Sequence, residues 1–464
     1  MAKDELLKMI RDGRELSRRQ CASLVLALSL PAILSQLSTI VEEYVDAMMV
    51  GQMGATASAS IGLVSTSIWL LGGLSHSAST GFYVQVAHCI GANDFVGARS
   101  VLRQGLTACM AFCCLLVAVG VGIAPWLPQW LGGGEELWHD AGMYFAIFCL
   151  SMPLHQLCSL MGGALRCAGH VKAPALLQVL CCVLNVGFNY WLIFGCRLGV
   201  VGAAIGTCCA ELVVAAALTW YAVARCPELR LWQDERRSFR PSRMTMLKSL
   251  RIAGPVGIEH VIMNSAQIML TWIVAPLGPV ALAANTFGIT IESLCYMPGF
   301  GIGDAATTLV GQSLGAGRKA LCRRFAYMTV SGGIAVMTLM AVVMFVGSPW
   351  LMQYMTTDVE VQQLAAHLLR IEAFAEPMYA ASIVSYGVFV GAGDTILPCT
   401  MNLGSIWLVR IPLALLLVGS MGLTGVWIAM AIELCVRGGM FLWRLFSFGK
   451  EPKEKSLQDK KVKR

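Results

Sequence analysis

Apolar stretches of about 20 residues recur along the whole chain and are separated by short polar segments, and each is long enough to cross a hydrocarbon core of roughly 30 Å as a helix. The alternating pattern that is typical of the strands of a membrane barrel is absent from the sequence. The pattern therefore predicts about twelve transmembrane helices, over residues 21–50, 58–90, 101–131, 141–163, 174–195, 200–224, 249–275, 281–312, 324–353, 363–391, 398–420 and 422–447.

The composition of the 464-residue chain supports this prediction. Hydrophobic residues make up 57% of it and charged residues 13%, whereas a soluble domain carries about 25% charged residues. The excess apolar surface needs an apolar surrounding, which a lipid bilayer provides. We therefore expect an all-α polytopic membrane protein that is permanently embedded in the bilayer.

The segment before the first apolar stretch is polar and basic. The stretch itself is too long for the core of a cleaved signal peptide and lacks a small-residue cleavage site, so we expect it to remain as a helix. Ser17 and Gln20 have the spacing of a capping box, which predicts that this helix begins next to Ser17.

Basic residues are concentrated in every second polar segment, namely 3–19, 99–103, 166–172, 225–251, 318–324 and 450–464, and the opposite segments carry Arg197 alone. The positive-inside rule therefore places both termini in the cytoplasm. The net charge of +7 is explained by these segments, so we expect no nucleic-acid partner.

The chain resembles itself at an offset of 224 residues, so that Pro31 maps to Pro255 and Gly91 to Gly315. Six predicted helices in each copy give both copies the same direction through the membrane, and such a parallel repeat is typical of transporters whose two lobes rock around a central site. We predict an N-terminal segment (1–20), an N-lobe (21–225), a connector (226–248), a C-lobe (249–447) and a basic tail (448–464).

Three carboxylates lie in the first predicted helix: Glu42, Glu43 and Asp46. Glu42 and Asp46 are four residues apart and therefore share a helix face. Acids inside a membrane are costly unless they are functional, and two neighbouring carboxylates hold either a cation or a proton between them. The alternative is that they reach water near the outer end of the helix at Gly51, most readily for Glu43.

The second copy contains weaker candidates for a substrate cavity: Glu259, Glu292 and Arg410. Glu259 either lines the cavity of this lobe or lies near the membrane surface. Arg410 must pair with an acid or face the cavity, because an isolated cation in a helix is costly. Since Asp46, Glu42 and Glu43 have no charged counterparts at the offset of 224, we expect the ion chemistry in the first copy alone.

The eighteen cysteines lie mostly inside apolar stretches, often as neighbours such as Cys113 and Cys114. Cysteine and histidine residues do not have the spacing of a zinc site, so we interpret the cysteines as small packing residues. The sequence also lacks a compact His/Asp/Ser constellation at one interface. We therefore expect neither an enzyme nor a cofactor.

Several motifs are more specific in combination than each is alone. They are Pro31 and the segments 46–54, 91–99, 254–255, 298–301, 310–317 and 391–398. On these residues the chain resembles the multidrug and toxic compound extrusion (MATE) family, in its prokaryotic form, from Pro31 to about Trp443.

The resemblance implies a cation site in the first lobe. Asn189 stands where the family has an aspartate of helix 5, which removes one negative charge. Glu42 and Glu43, which the family pattern lacks, are expected to restore that charge from helix 1. The other positions match the pattern: Asp46, Tyr144, Asn185 and Thr207. The norfloxacin-extruding branch uses acids of helices 7 and 10, but helix 10 has no carboxylate between Pro377 and Gly391, so no second-lobe ion site is expected.

The resemblance further implies a monomeric multi-pass protein of the prokaryotic inner membrane that exports small organic compounds, cationic and partly aromatic, in exchange for H⁺ or Na⁺. Apart from a Na⁺ ion at Asp46, we expect no metal. Pro31 and Pro255 are the expected hinges for alternating access. The alternative function is a flippase for a lipid-linked or amphipathic substrate.

Overall fold

The computed structural model describes residues 3–234 and 238–448 of the chain, which fold as helices with short connections. The predicted basic tail lies outside the described residues from position 449 onwards. The helices are α1 (Lys3–Arg11), α2 (Arg18–Gly51), α3 (Ala55–Gly91), α4 (Phe95–Ile123), α5 (Leu127–Trp130), α6 (Glu135–Cys167), α7 (Lys172–Tyr190), α8 (Gly199–Trp220), α9 (Arg243–Val274), α10 (Pro279–Gly315), α11 (Lys319–Met355), α12 (Val359–Ala373), α13 (Glu376–Ala392), α14 (Ile396–Ser405) and α15 (Ile411–Ser447).

Ten described helices are long and apolar enough to cross a membrane. The pair α12 and α13 forms one further span that is bent by 60°. The last of the ten is a 52-residue helical segment, Ile396–Ser447, which comprises α14, α15 and the helical residues 406–410 between them. It is interrupted at Gly422 by a left-handed φ of 57°. Counting that helix as two spans and the bent pair as one gives twelve, which confirms the predicted fold.

Most predicted boundaries agree with the helices to within a few residues. The capping box is present, since the Ser17 hydroxyl accepts from the Gln20 amide at 3.2 Å and the Gln20 side chain accepts from the Ser17 amide at 2.9 Å. The third predicted span, 101–131, is wrong at its end, because α4 stops at Ile123 and two prolines follow at 125 and 128. The tenth span is bent between α12 and α13 rather than continuous. The helices α2 and α9 run through the two expected hinge residues, Pro31 and Pro255.

The two halves of the chain, α2–α8 and α9–α15, meet where the repeat brings equivalent glycines together. A Cβ atom on Gly91 of α3 would overlap the backbone of Gln312 in α10, and a Cβ on Gly315 of α10 would overlap the backbone of His88 in α3. His88 and Gln312 are themselves related by the offset of 224. The reciprocal contact shows that both copies use the same surface, as a parallel repeat requires. A further contact between the two halves is made by the Tyr44 hydroxyl of α2, which donates to the backbone oxygen of Thr290 in α10.

The short helix α1 was not predicted, and it lies across both halves at one end of the molecule, which we call the N-terminal face. Its apolar side, with Leu7 and Ile10 almost fully buried, packs in one cluster with Val171 of the first half and Phe325 of the second.

Hydrogen bonds between side chains and backbone oxygens also hold the N-terminal segment against both halves. On the side of the first half, the Lys3 side chain donates to Gly169 O (2.6 Å) and the Asn93 side chain donates to Arg11 O (3.1 Å). On the side of the second half, the Arg318 side chain donates to Met9 O (3.2 Å) and the Arg324 side chain donates to Leu16 O (2.8 Å).

The beginning of the connector is bound to the same face. Asp234 accepts from Arg99 at 2.6 Å and from Arg103 at 2.9 Å, and Arg103 also donates to Leu231 O at 2.7 Å. These guanidinium groups, that of Arg99 first, hold the pKa of Asp234 below its ordinary value. The described first part of the connector, up to Asp234, is therefore anchored to α4.

Candidate functional site

Asp46 of α2 is the centre of a polar network in the first half. Its carboxylate accepts from the Asn189 amide group at 2.7 Å and from the Asn185 amide group at 3.4 Å. The two asparagines are four residues apart on α7, so they present their side chains on one helix face, and both are fully buried. Asn185 also donates to the Thr207 hydroxyl of α8 at 3.0 Å. Three helices thus bring four of the sequence-predicted residues together.

One acceptor in this network is unused. The side-chain oxygen of Asn189 is buried without a hydrogen-bond partner among the described residues. A buried acceptor is normally paired, because leaving it unpaired costs about 1–3 kcal/mol. An unpaired oxygen beside a carboxylate is a suitable ligand for a hard cation or a partner for a proton on Asp46.

Glu42 lies one turn before Asp46 and has partners of its own. Its carboxylate accepts from Gln178 of α7 at 3.2 Å and lies 3.9 Å from the Cys181 sulfur. Both acids therefore face α7, as their spacing predicted. Glu43 is half-buried, and in the described part of the chain it does not join the hydrogen bonds around Asp46.

Tyr144 of α6 is near this network without being its centre. Its ring packs in a cluster with Val50, Ile193 and Ala203, and Val50 is one helical turn beyond Asp46. The Tyr144 ring therefore packs one helical turn away from Asp46, next to the polar network.

The second half also carries buried carboxylates, in addition to those of the first half. Glu259 is 8% exposed and accepts from Asn402 at 2.6 Å and from Tyr386 at 2.7 Å. It is thus a buried, hydrogen-bonded residue, and it does not line the cavity around Arg410 that is described below. Asn402 is the repeat equivalent of Gln178, so each half places an amide of its fifth span against an acid of its first span.

Arg410 finds its partner in Glu433 of α15. The guanidinium lies 3.3 Å from one carboxylate oxygen, Arg437 lies 3.1 Å from the other, and Glu433 is fully buried. Both arginines and Glu292 line a cavity of about 200 Å³ together with aromatic side chains, Tyr296, Tyr379 and Trp427. The cavity therefore offers both signs of charge beside flat apolar surfaces.

Two acids of this half were missed by the sequence analysis. Glu372 lies in the last turn of α12 and Glu376 begins α13, on either side of the 60° bend. Both are fully buried, and their carboxylate oxygens have no hydrogen-bond partner among the described residues. The signal was present in the sequence as two acids inside the apolar stretch 363–391, just before Pro377.

A profile of the MatE family matches residues 31–191 and 255–416. The matched segments begin 224 residues apart, which is the offset of the repeat. Among curated proteins, the probable multidrug resistance protein NorM of Thermotoga maritima is 26% identical over 456 residues, which cover 95% of each chain. The multidrug resistance protein MdtK of Edwardsiella ictaluri is 26% identical over 455 residues, 95% of this chain and 98% of that one.

Solved structures agree with the fold along almost the whole chain. A transporter of the MOP superfamily from Pyrococcus furiosus superposes with a TM-score of 0.88 at 19% identity, covering 96% of this chain and 99% of that one. An outward-facing multidrug resistance transporter of the MATE family superposes with a TM-score of 0.87 at 20% identity and the same coverage.

Proposed function

Because this chain belongs to the MatE family, we propose that it is a secondary antiporter, which exports organic, cationic and partly aromatic compounds in exchange for H⁺ or Na⁺. The observation that carries the proposal is the Asp46 network, in which a membrane-embedded carboxylate accepts from two buried amides, one of which also donates to a hydroxyl. The proposal places the N-terminal face and both termini in the cytoplasm of a prokaryotic cell, with the protein acting as a monomer in the inner membrane and without a cofactor.

The chemistry of the site follows from the cost of an uncompensated charge in low dielectric. The Asn185 and Asn189 amide groups each donate to an oxygen of the Asp46 carboxylate. The free Asn189 oxygen offers a further ligand for Na⁺, and Asp46 itself offers the base for H⁺. Because Asn189 carries no charge, Glu42 supplies the second negative charge from one turn away on α2.

Coupling requires that ion and substrate favour different conformations of the same protein. Neutralising Asp46 removes an electrostatic attraction for a cationic substrate, so that the ion displaces the substrate rather than binding beside it. The lobes, taken as 21–225 and 249–447, then rock about their shared interface, with Pro31 and Pro255 as the hinges because proline removes a backbone hydrogen bond within a helix.

Transport in proteoliposomes tests this proposal. A fluorescent organic cation is loaded, and Na⁺ and H⁺ gradients are imposed separately. We expect one gradient to drive export, Asp46→Asn to abolish it, and Glu42→Gln to reduce it at least tenfold. Glu360→Gln, at an exposed position in the first turn of α12, is the matched control and should transport normally. Export that ignores both gradients in a folded protein contradicts antiport, and normal transport by Glu42→Gln alone contradicts the role given to Glu42.

A further inference from the structure

Three side chains with metal-ligating atoms meet on the N-terminal face, and none of them belongs to the Asp46 network. They are His170, in the turn between α6 and α7, and Cys226 and Glu228, at the start of the connector. Each offers one ligand atom, and the three atoms all lie within 4.8 Å of one another. We propose that His170, Cys226 and Glu228 form a binding site for a divalent cation of the Zn²⁺ type, separate from the transport pathway.

The distances agree with a tetrahedral ion. A zinc ion bound to sulfur, nitrogen and oxygen at about 2.0–2.3 Å holds these ligands about 3.3–3.6 Å from one another. Glu228 Oε2 lies 3.6 Å from His170 Nε2 and 3.4 Å from Cys226 Sγ. Both distances therefore match the separation that such an ion requires, and the His170–Cys226 pair lies within 4.8 Å.

Local structure holds each ligand in place. His170 follows Gly169, whose φ of +90° closes the turn, and the His170 amide donates to Leu165 O at 2.9 Å. The Cys226 amide donates to Tyr221 O at 3.1 Å, and the Tyr221 ring meets the His170 ring edge-on with centroids 6.0 Å apart. A site whose ligands are fixed by their own surroundings binds an ion with little loss of conformational entropy.

Burial leaves room for one further ligand. Cys226 is fully buried, whereas the side chains of His170 and Glu228 are 26% and 18% exposed. Three protein ligands with one accessible side are the arrangement in which zinc keeps a water molecule. The combination of thiolate, imidazole and carboxylate also favours Zn²⁺ or Co²⁺ over Mg²⁺ or Ca²⁺, which prefer oxygen ligands alone.

The two carboxylate oxygens of Glu228 have different neighbours, and one of these neighbours is Arg11 of α1. Its guanidinium lies 3.5 Å from Oε1, while Oε2 faces His170 and Cys226. Hydrogen-bonded groups behind a ligand commonly orient it toward the metal, so Arg11 is a positioning residue here. The competing interpretation is a polar cluster that is complete with Arg11 and needs no ion, and the experiment must separate the two.

Cobalt is the probe, because a Co²⁺–thiolate bond gives a near-ultraviolet charge-transfer absorption that oxygen and nitrogen ligands do not give. The full chain is purified in detergent with its affinity tag removed, reduced, and titrated with CoCl₂. We expect the absorption to saturate at one equivalent and to disappear when ZnCl₂ is added. Cys226→Ser should abolish it, and Glu228→Gln and His170→Gln should each weaken Co²⁺ binding at least tenfold.

Cys322→Ser is the matched control, since Cys322 is also buried but packs among apolar side chains such as Val310 and Val330. It should keep the full absorption. Elution of each variant as a single species in size-exclusion chromatography establishes that it is folded. A wild-type protein without the absorption at saturating Co²⁺, or a folded Cys226→Ser variant that retains it, overturns the proposal. The outcome does not depend on transport, so it is independent of the antiporter proposal.

Discussion

Loosening α1 should open the N-terminal face while leaving the transmembrane helices folded. The perturbation is the double substitution Leu7→Ala and Ile10→Ala. It truncates two apolar side chains of α1 that are buried in the cluster shared by both halves, where Leu7 is 3% exposed and Ile10 is 0% exposed. The matched control is Lys8→Ala, on the exposed side of the same helix. All three residues are compatible with a helix after substitution, because alanine has the highest helix propensity.

The magnitude follows from the area that these side chains bury. Each substitution removes about three carbon groups, and a buried CH₂ group contributes roughly 0.8 kcal/mol, so the pair removes about 5 kcal/mol of docking free energy at most. Because 1.4 kcal/mol is a factor of ten, the undocked population should rise by up to roughly four thousandfold. Partial repacking of the cluster lowers this figure, and we expect an increase of at least tenfold.

Cys21 of α2 reports the opening, since it is fully buried in the same apolar cluster as Leu7 and Ile10. The assay measures its modification by a charged maleimide over time, with peptide mass spectrometry to separate it from the other cysteines. The modification rate should rise at least tenfold in the double variant and stay unchanged in Lys8→Ala. If Cys21 reacts at the wild-type rate in a double variant that is folded, then α1 does not close this face.

Gly91→Ala should reduce transport and lower the Tm, because the new Cβ would overlap the backbone of Gln312; Gly332→Ala, with open space around it, should leave transport unchanged. Glu433→Gln should cost about 3–5 kcal/mol of unfolding free energy, since two buried guanidinium groups lose their shared carboxylate, and an unaltered Tm in thermal unfolding would contradict this. The pKa of Asp234 is lower in the folded protein than in the unfolded chain, where an aspartate has a pKa of about 4. The contribution of Asp234 to the stability of the connector is therefore complete above about pH 4, and it is lost only as the pH falls through the lower pKa of the folded state. Limited proteolysis of the connector should therefore be equally slow near pH 5 and near pH 8, and Asp234→Asn should speed it at both.

The sequence predicted those features that depend on periodicity and on local chemistry. Helix spans follow from the length of apolar stretches, and the first helix begins where Ser17 and Gln20 placed it. The repeat could be found because glycine contacts such as those of Gly91 and Gly315 leave no space for a side chain, so the residue type itself carries the signal.

The sequence was less informative about features that depend on contacts between residues distant from one another along the chain. The bend between α12 and α13 separates Glu372 from Glu376, and a continuous apolar stretch does not reveal it. The partner of Arg410 is 23 positions further along the chain, as the numbers of Arg410 and Glu433 show. Linear spacing could not identify the cluster of His170, Cys226 and Glu228 either, since the connector must first fold against the turn after α6.

The position of α1 sets an order of events during synthesis. Met9 accepts its hydrogen bond from Arg318, which is 309 residues later in the chain. At translation rates of about 5–20 residues per second, the ribosome takes roughly 15–60 s to supply that partner. During this interval the apolar side of α1 has only the first half to pack against. The helix that leaves the ribosome first is therefore among the last to reach its final place, and a nascent chain released before Arg318 would retain an uncovered N-terminal face.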